Sequence, residues 1–203
     1  MTAPDTVAEA LHRRQSLVHD SAQRGMRAAR ELSEATDAWL RLVWEQAMHD
    51  QPLGKRAALV AIGGYGRGDL APFSDLDVLL VHEGAKDIDA LASRLWYPIW
   101  DAGVKLGHAV GTIKQVLDLA TSELDTATAV LTARHLAGDE SLTDDLATQA
   151  RRTWSKNSAR RLAELVVRVR ARHSEHGDVA FLLEPNVKEG YGGLRDIHAV
   201  QWA

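Results

Sequence analysis

Apolar residues recur at helical spacing along the first part of the chain, where Leu11, Val18, Leu32, Trp39, Leu40, Val43, Trp44 and Ala47 predict helix over 5–49. Thr6 and Glu9 form a T-x-x-E capping box at its head, and Gly25 is placed to break it in two. The pattern then changes. "RAALVAI" (56–62) and "LDVLLV" (76–81) are short apolar runs with turn signals around them, which predicts two fully buried strands. Ile88, Leu91, Leu95, Ile99 and Trp100 return to helical spacing, so a crossover helix over 86–101 leads to a third strand in "VKLGHAVGTI" (104–113). Beyond it, "VLDLATSELDTATAVLTARHLAGDESL" (116–142) and the Arg-rich 142–176 region are rich in Ala and Leu and lack strand-length β-branched runs, which predicts helix throughout. Arg residues between 151 and 172 alternate with Leu and Val as on an amphipathic helix. A glycine loop followed by Leu194, Ile197, Val200 and Trp202 reads as the start of a further helix, cut short.

The chain is therefore of α/β (α+β) class, with a small mixed sheet between helical segments. No internal repeat or low-complexity linker marks a boundary, so the shifts of pattern set them. They give an N-terminal helical segment (1–50), a strand-bearing core (51–137) and a helical segment (138–203) ending in a GGLRD loop.

One stretch breaks the rule that buried strands obey. The second strand opens with Asp75 and Asp77, which the period of two aims at the same side while Leu76 and Val78 face the core. Like charges this close repel and raise each other's pKa unless a divalent cation supplies the missing positive charge. At the end of the first strand, Gly63-Gly64 lets the backbone approach a ligand closely, and the amides of such a turn can converge on an anion such as phosphate. Arg67 adds a charged fork and Ser74 a hydroxyl. Mg²⁺ typically binds through one or two carboxylates plus substrate phosphates, so a phosphate-cradling turn beside a carboxylate pair makes a coherent nucleoside triphosphate site. Each piece alone is common. Ile62, Gly63, Gly64, the spacer 65–74, then Asp75, Leu76, Asp77 and Val78, set between two strand-like runs, are not a common conjunction.

Composition narrows the partners. In 203 residues, 24 Lys plus Arg stand against 28 Asp plus Glu, and a net charge of −4 gives no sequence-independent attraction to nucleic acid or to an anionic membrane. There is no cysteine, so metal ligands must be oxygen or histidine, which favours hard cations. The N-terminus lacks an apolar signal region, and no run approaches the roughly 18 apolar residues of a membrane span, which predicts a cytoplasmic protein.

The run from Ile62 to Val78 resembles the nucleotidyltransferase superfamily, whose pattern is an apolar residue, G-G or G-S, a spacer, then D-x-D at the head of the second strand. Within it, "GGYGRGDLAPFSDLDVLL", "GHAVGT" (107–112), "ELDTATAVLTARHLAGDESL" (123–142) and "LEPNVKEGYGGLRDIHAVQW" (183–202) are most similar to the N-terminal catalytic region of the bifunctional uridylyltransferase/uridylyl-removing enzymes that modify the PII nitrogen-signal protein. The resemblance covers essentially the whole chain and implies a polymerase-beta-like nucleotidyltransferase core. It further implies that Gly63 and Gly64 contact the triphosphate, that Asp75 and Asp77 bind Mg²⁺ or Mn²⁺, that Arg67 and Ser74 assist, and that Lys188 and Arg195 are further nucleotide-binding candidates. The implied reaction transfers a nucleotide monophosphate from a nucleoside triphosphate, UTP or ATP, to a tyrosine hydroxyl of PII.

UMP transfer is the family default. An Ala-, Arg- and Asp-rich composition points to a high-GC genome, and in some such bacteria the similar enzymes transfer AMP. Many nucleotidyltransferases place a third carboxylate on the following strand, but "KLGHAVGTI" offers His108 and no acid. Asp125, Glu184 or Asp196 are then the candidates, or metal activation of the hydroxyl suffices. The hydrolase and glutamine-sensing domains of the family have no room in this length, so the chain reads as a fragment without nucleotide-removing activity or glutamine control. Two alternatives stand beside this reading: a glutamine synthetase adenylyltransferase relative, and a non-catalytic nucleotide-binding module. His173 and His176 read as part of a solvated, charged helical face, His108 and His198 as rim or core residues, and the six tryptophans as packing anchors.

Overall fold

The computed structural model describes residues 6–20, 25–50, 53–176, 183–184 and 186–203. Helix α1 (Val7–His19) begins where the sequence places its cap, the Thr6 hydroxyl accepting from the Glu9 amide at 3.2 Å. Helix α2 (Gly25–Asp50) starts at Gly25, whose φ of 69° suits glycine at that break. The two helices pack on each other, and buried Arg14 donates to Thr36 Oγ1 at 3.2 Å across the seam.

The strands are β1 (Ala57–Ala61), β2 (Leu76–His82), β3 (Leu106–Gly111) and β4 (Arg134–Gly138), in spatial order β3-β2-β1-β4. β1 runs antiparallel to β2 and β4, and β2 runs parallel to β3. The parallel pair needs a crossover, supplied by α4 (Ile88–Asp101). The sheet is mixed and small, as expected.

The strand β4 corrects the reading of helix throughout 116–142. Arg134 and His135 are indifferent strand formers, and a five-residue run is too short to show a period. What makes it a strand is tertiary: pairing with β1 and burial of Leu136 and Ala137. Around it the helices are α5 (Ile113–Ser122), α6 (Leu124–Val130), α7 (Glu140–Lys156), α8 (Ser158–His176) and α9 (Leu194–Trp202). The Arg-rich run is two helices rather than one, divided at Asn157.

Each face of the sheet carries its own core, because successive side chains of a strand point to opposite faces. Leu59, Leu76, Val78 and Leu80 pack with Trp39, Leu40 and Val43 of α2 and Leu91 and Leu95 of α4. Val60, Leu79 and Val81 pack with Val116 of α5 and Leu142 and Leu146 of α7. Asp77 alternates with Leu79 and Val81 and so belongs to the second face, near the start of β2.

Between β1 and β2 the chain makes a single helical turn, α3 (Gly63–Gly66). It sits so close to the backbone before β4 that a Cβ on Gly66 would lie 2.2 Å from the Thr132 carbonyl oxygen and 3.1 Å from that of Ala61. Gly66→Ala is therefore expected to lower unfolding stability by about 1–3 kcal/mol, the usual cost of forcing atoms into a packed interior. A urea midpoint equal to the parent's would show that the turn separates from residue 132 without penalty.

Candidate active site

Strand β1 ends at Ala61, and the Ile62 amide donates to the Asp77 carbonyl at 3.0 Å, which ties the start of the glycine turn to the acidic strand. Gly63 then takes a φ of 60°. A Cβ there would be strained and would meet Asp77 Oδ2 at 3.0 Å. On the other side, the parallel register sets Asp77 opposite Gly107 of β3. A Cβ on Gly107 would stand 2.3 Å from Asp77 Oδ1. The Asp77 carboxylate therefore lies between two glycines, and a side chain on either would force it to move. Gly107 escaped the sequence reading as a site residue, because only the strand register sets it beside Asp77.

Asp75 lies exposed just before β2, while Asp77 is partly buried. Burial and then the charge of Asp75 push the Asp77 carboxyl above its ordinary value, and the positive charges of Lys188 and Arg195 pull the other way. The structure thus brings Asp75, Asp77, Lys188 and Arg195 into one electrostatic neighbourhood, although more than a hundred residues separate the pairs. Lys188 sits on the loop before α9 and Arg195 in its first turn, where the Arg195 amide donates to the Lys188 carbonyl at 3.0 Å. Arg195 Nε also faces Glu189 Oε1 at 3.4 Å. Beside it a cleft of about 360 Å³ runs between α6, α8 and α9, with Arg168, Arg172, Arg195 and Trp202 in its lining.

Arg67 covers Gly64, its Nη2 lying 3.7 Å from where a Cβ would be, and its Nε donates to Asp69 Oδ2 at 2.9 Å. Ser74 closes the turn leading into Asp75, its amide donating to the Ala71 carbonyl at 3.0 Å and its Oγ accepting from the Ala71 amide at 3.1 Å. In this conformation Ser74 shapes the approach to the aspartates.

The candidates for a third carboxylate are engaged elsewhere or exposed. Asp125 pairs with Arg168. Asp196 pairs with Arg172 and His173 and accepts from the Gly192 amide at 2.8 Å, so it fastens α9 to α8. Burial would raise the Asp196 carboxyl, but the hydrogen bonds from His173, Gly192 and Arg172 hold it below its ordinary value. Glu184 is exposed. Among the described residues no group of three histidines or carboxylates is placed to hold a metal ion. His108 faces away from Asp77, its ring packed against Trp96 and Trp100 with centroids 5.4 and 5.5 Å apart.

His173 corrects the reading of a solvated face. It bonds Asp196 and packs its ring, tilted by 58°, against Tyr191 with centroids 4.3 Å apart. Partly buried His198, on α9, has its pKa lowered by burial and then by Arg67, which places α9 near the glycine turn.

Behind that turn lies a polar cluster, buried at Asp37 and Tyr65 and partly buried at Arg134, that the sequence reading missed. Arg134, the first residue of β4, donates to both carboxylate oxygens of Asp37 on α2, at 2.5 and 3.1 Å. It also donates to the carbonyls of Gly66 and Tyr65, each at 3.2 Å. The Tyr65 hydroxyl donates to Asp37 Oδ1 at 2.7 Å. The available signal was an acidic residue at position 37 on the apolar face of a helix, three before Leu40 and two before Trp39.

A small mixed sheet presenting two aspartates beside a glycine turn defines a nucleotidyltransferase domain, and the model of that domain family matches residues 41–135. A second family model, GlnD PII-uridylyltransferase, matches residues 160–203. The chain belongs to that GlnD family. A bifunctional uridylyltransferase/uridylyl-removing enzyme of Streptomyces coelicolor is 43% identical over 91% of this chain and 22% of its own length. One of Mycobacterium tuberculosis is 46% identical over 69% of this chain and 18% of its own length. Another, of Caulobacter vibrioides, is 34% identical over 98% and 23%. The chain thus spans about a fifth of the length of these relatives. A solved structure described as a toxin-antitoxin with AMP-PNP superposes on 61% of the chain and 93% of its own, at a TM-score of 0.40 and 14% identity, too low a likeness to add to the fold described above. Among the described residues no helix is long and apolar enough to cross a membrane.

Proposed function

We propose that this chain performs the nucleotidyl-transfer half of the activity its relatives are named for, moving UMP from UTP to a tyrosine hydroxyl of the PII protein and releasing pyrophosphate. The observation that carries the reading is the Asp77 carboxylate, flanked by Gly63 and Gly107 beside the glycine turn, with Asp75 next to it and the charges of Lys188, before α9, and Arg195, in its first turn, acting on it. Relatives named uridylyltransferases favour UTP over ATP.

The donor set suits a hard divalent cation. It offers oxygen ligands only, and one of its two carboxylates is made harder to ionise by burial and by its neighbour, a penalty that a cation would relieve. Asp75 and Asp77 would hold Mg²⁺, or Mn²⁺. When bound, such an ion neutralises charge on the phosphates and polarises the one under attack.

The chain's own residues then do the positioning. The Gly63 and Gly64 backbone admits the triphosphate closely, and Arg67, Lys188 and Arg195 oppose its negative charge. The acceptor oxygen bonds to the α-phosphorus and releases its proton, and the bond from that phosphorus to the bridging α–β oxygen breaks.

Incubation with UTP or ATP labelled at the α-phosphate, with Mg²⁺, and with purified PII or glutamine synthetase tests the reading. Label from UTP on PII is the expected result. Label on glutamine synthetase would favour the adenylyltransferase alternative, label from ATP on PII would change the nucleotide, and nucleotide binding without label on either acceptor would mark a non-catalytic module.

A further inference from the structure

The cluster of Asp37, Tyr65 and partly buried Arg134 does something that packing alone does not require. Every carbonyl of the turn Gly63–Gly66 has a partner. That of Gly63 accepts from the Arg67 amide at 3.3 Å, and the Thr132 hydroxyl, at 3.1 Å from it, shares its single proton with the Ala129 carbonyl at 2.7 Å. The Gly64 carbonyl accepts from the Asp69 amide at 3.0 Å. That of Tyr65 accepts from the Gly68 amide at 3.0 Å and from Arg134, and that of Gly66 accepts from Arg134 Nε. In a trans peptide the carbonyl of one residue and the amide of the next share a plane and point opposite ways. Arg134 therefore fixes the Tyr65–Gly66 and Gly66–Arg67 peptide planes, whose amides donate back to the Ile62 carbonyl at 2.9 Å and the Gly63 carbonyl at 3.3 Å, and so anchors from behind the turn that carries Gly63 and Gly64.

Arg134 is the hub of that grip. Its planar fork reaches two carbonyls of the turn and both oxygens of Asp37, a geometry that a lysine ammonium cannot reproduce. Asp37, 6% exposed, keeps the fork in place from α2, and the Tyr65 hydroxyl bonds the same carboxylate. Burial, then the Asp37 charge, holds the Tyr65 phenol well above its ordinary value of 10.0, so it remains a donor across the physiological range. Three elements distant in sequence, α2, α3 and β4, meet at this one charge pair.

We propose that Arg134, seated by Asp37 and Tyr65, is a positioning residue for the triphosphate: it fixes the peptide planes of the glycine turn so that its ligand-facing side is set before the nucleotide arrives. The proposal rests on the nucleotidyl-transfer reading above. It makes the N-terminal helix α2 part of the active-site machinery, through Asp37, rather than an appendage to it. A preorganised turn binds phosphate without first paying to order its backbone.

The test compares the parent chain with Arg134→Gln, Arg134→Lys and Tyr65→Phe by calorimetric titration of UTP and of ATP in MgCl₂. Circular dichroism and a melting curve establish that each variant is folded at the titration temperature. Arg134→Gln is expected to weaken binding of the preferred triphosphate at least about tenfold, with Arg134→Lys regaining only part of that and Tyr65→Phe losing about threefold. In steady-state transfer the loss should fall on KM for the nucleotide more than on kcat. Backbone hydrogen exchange should quicken at residues 63–67 in Arg134→Gln, with the nucleotide absent.

A staple that served stability alone would lower the melting temperature and leave the folded fraction binding as the parent does, and that result overturns the proposal. If Arg134→Gln fails to fold, unchanged affinity in both Arg134→Lys and Tyr65→Phe overturns it equally. A parent chain that binds neither triphosphate would overturn this inference and the functional reading together, whereas a parent that binds, with variants that bind alike, removes this inference only.

Discussion

Replacing Asp77 with asparagine is expected to lower nucleotidyl transfer at least about a thousandfold while making the metal-free chain more stable. The first effect follows from deleting one of the two carboxylates available to a divalent ion, and groups that stabilise charge in such sites are each worth about a hundred- to a thousandfold or more. The second follows from the state of Asp77 in the fold. Burial and Asp75 raise its pKa above the ordinary 3.8, so the unfolded chain gives up this proton more readily than the folded one.

The sign for stability follows directly. As pH rises from about 3.8, the unfolded state ionises first and the parent loses stability, and above the raised pKa the penalty is complete. Asparagine has no such charge. The variant should therefore match the parent in acid and exceed it at neutral pH, by up to about 1 kcal/mol, the scale of like-charge repulsion across neighbouring strand positions. Melting curves in EDTA across pH 3.5 to 8, as an experimental range, read this, together with transfer of α-phosphate label. Undiminished transfer would remove Asp77 from the site, and a stability gap that did not widen with pH would mean that its ionisation is not opposed by the fold.

Gly107→Ala is expected to cut transfer about a hundredfold with the acidic pair still present. A methyl at position 107 would come within 2.3 Å of Asp77 Oδ1, so either the carboxylate rotates away or β3 shifts on β2. A displacement of about 1 Å in a group that positions reacting atoms is commonly worth about two orders of magnitude. The control is Gly111→Ala at the other end of β3, where the nearest heavy atom to an added Cβ lies 3.6 Å away on the Gln115 side chain. That variant should keep parental activity. Equal activity in both would show that the Asp77 carboxylate has room that the strand register does not suggest.

The fold was legible in the sequence wherever burial has a period. The apolar runs of β1 and β2, the helical spacing of α2 and α4, the Thr6 cap and the break at Gly25 all read directly, since local chemistry and tertiary environment agree there. β4 did not read, because Arg134 and His135 carry no strand preference of their own and are extended only because β1 offers an edge. The break at Asn157 between α7 and α8 was likewise hidden in a continuous Arg-rich amphipathic pattern.

The same division runs through the site. Gly63, Gly64, Asp75 and Asp77 lie within one hairpin, so their chemistry is visible as spacing along the chain. Lys188 and Arg195 could be singled out as charges in a glycine loop, but nothing local says that they act on Asp77. Gly107, Asp37 and Arg134 could not be assigned at all. Each owes its role to a partner on another element, through the β2–β3 register or through a guanidinium reaching from β4 to α2.

The amino-acid order by itself determined the elements and the acidic hairpin, because hydrophobic periodicity and turn chemistry act over a few residues and need no distant partner. Only the tertiary structure decided what encloses Asp77, what holds the glycine turn and which cations face the carboxylates. Close approach, buried charge pairing and strand register are relations between segments, and they come into being only when those segments meet.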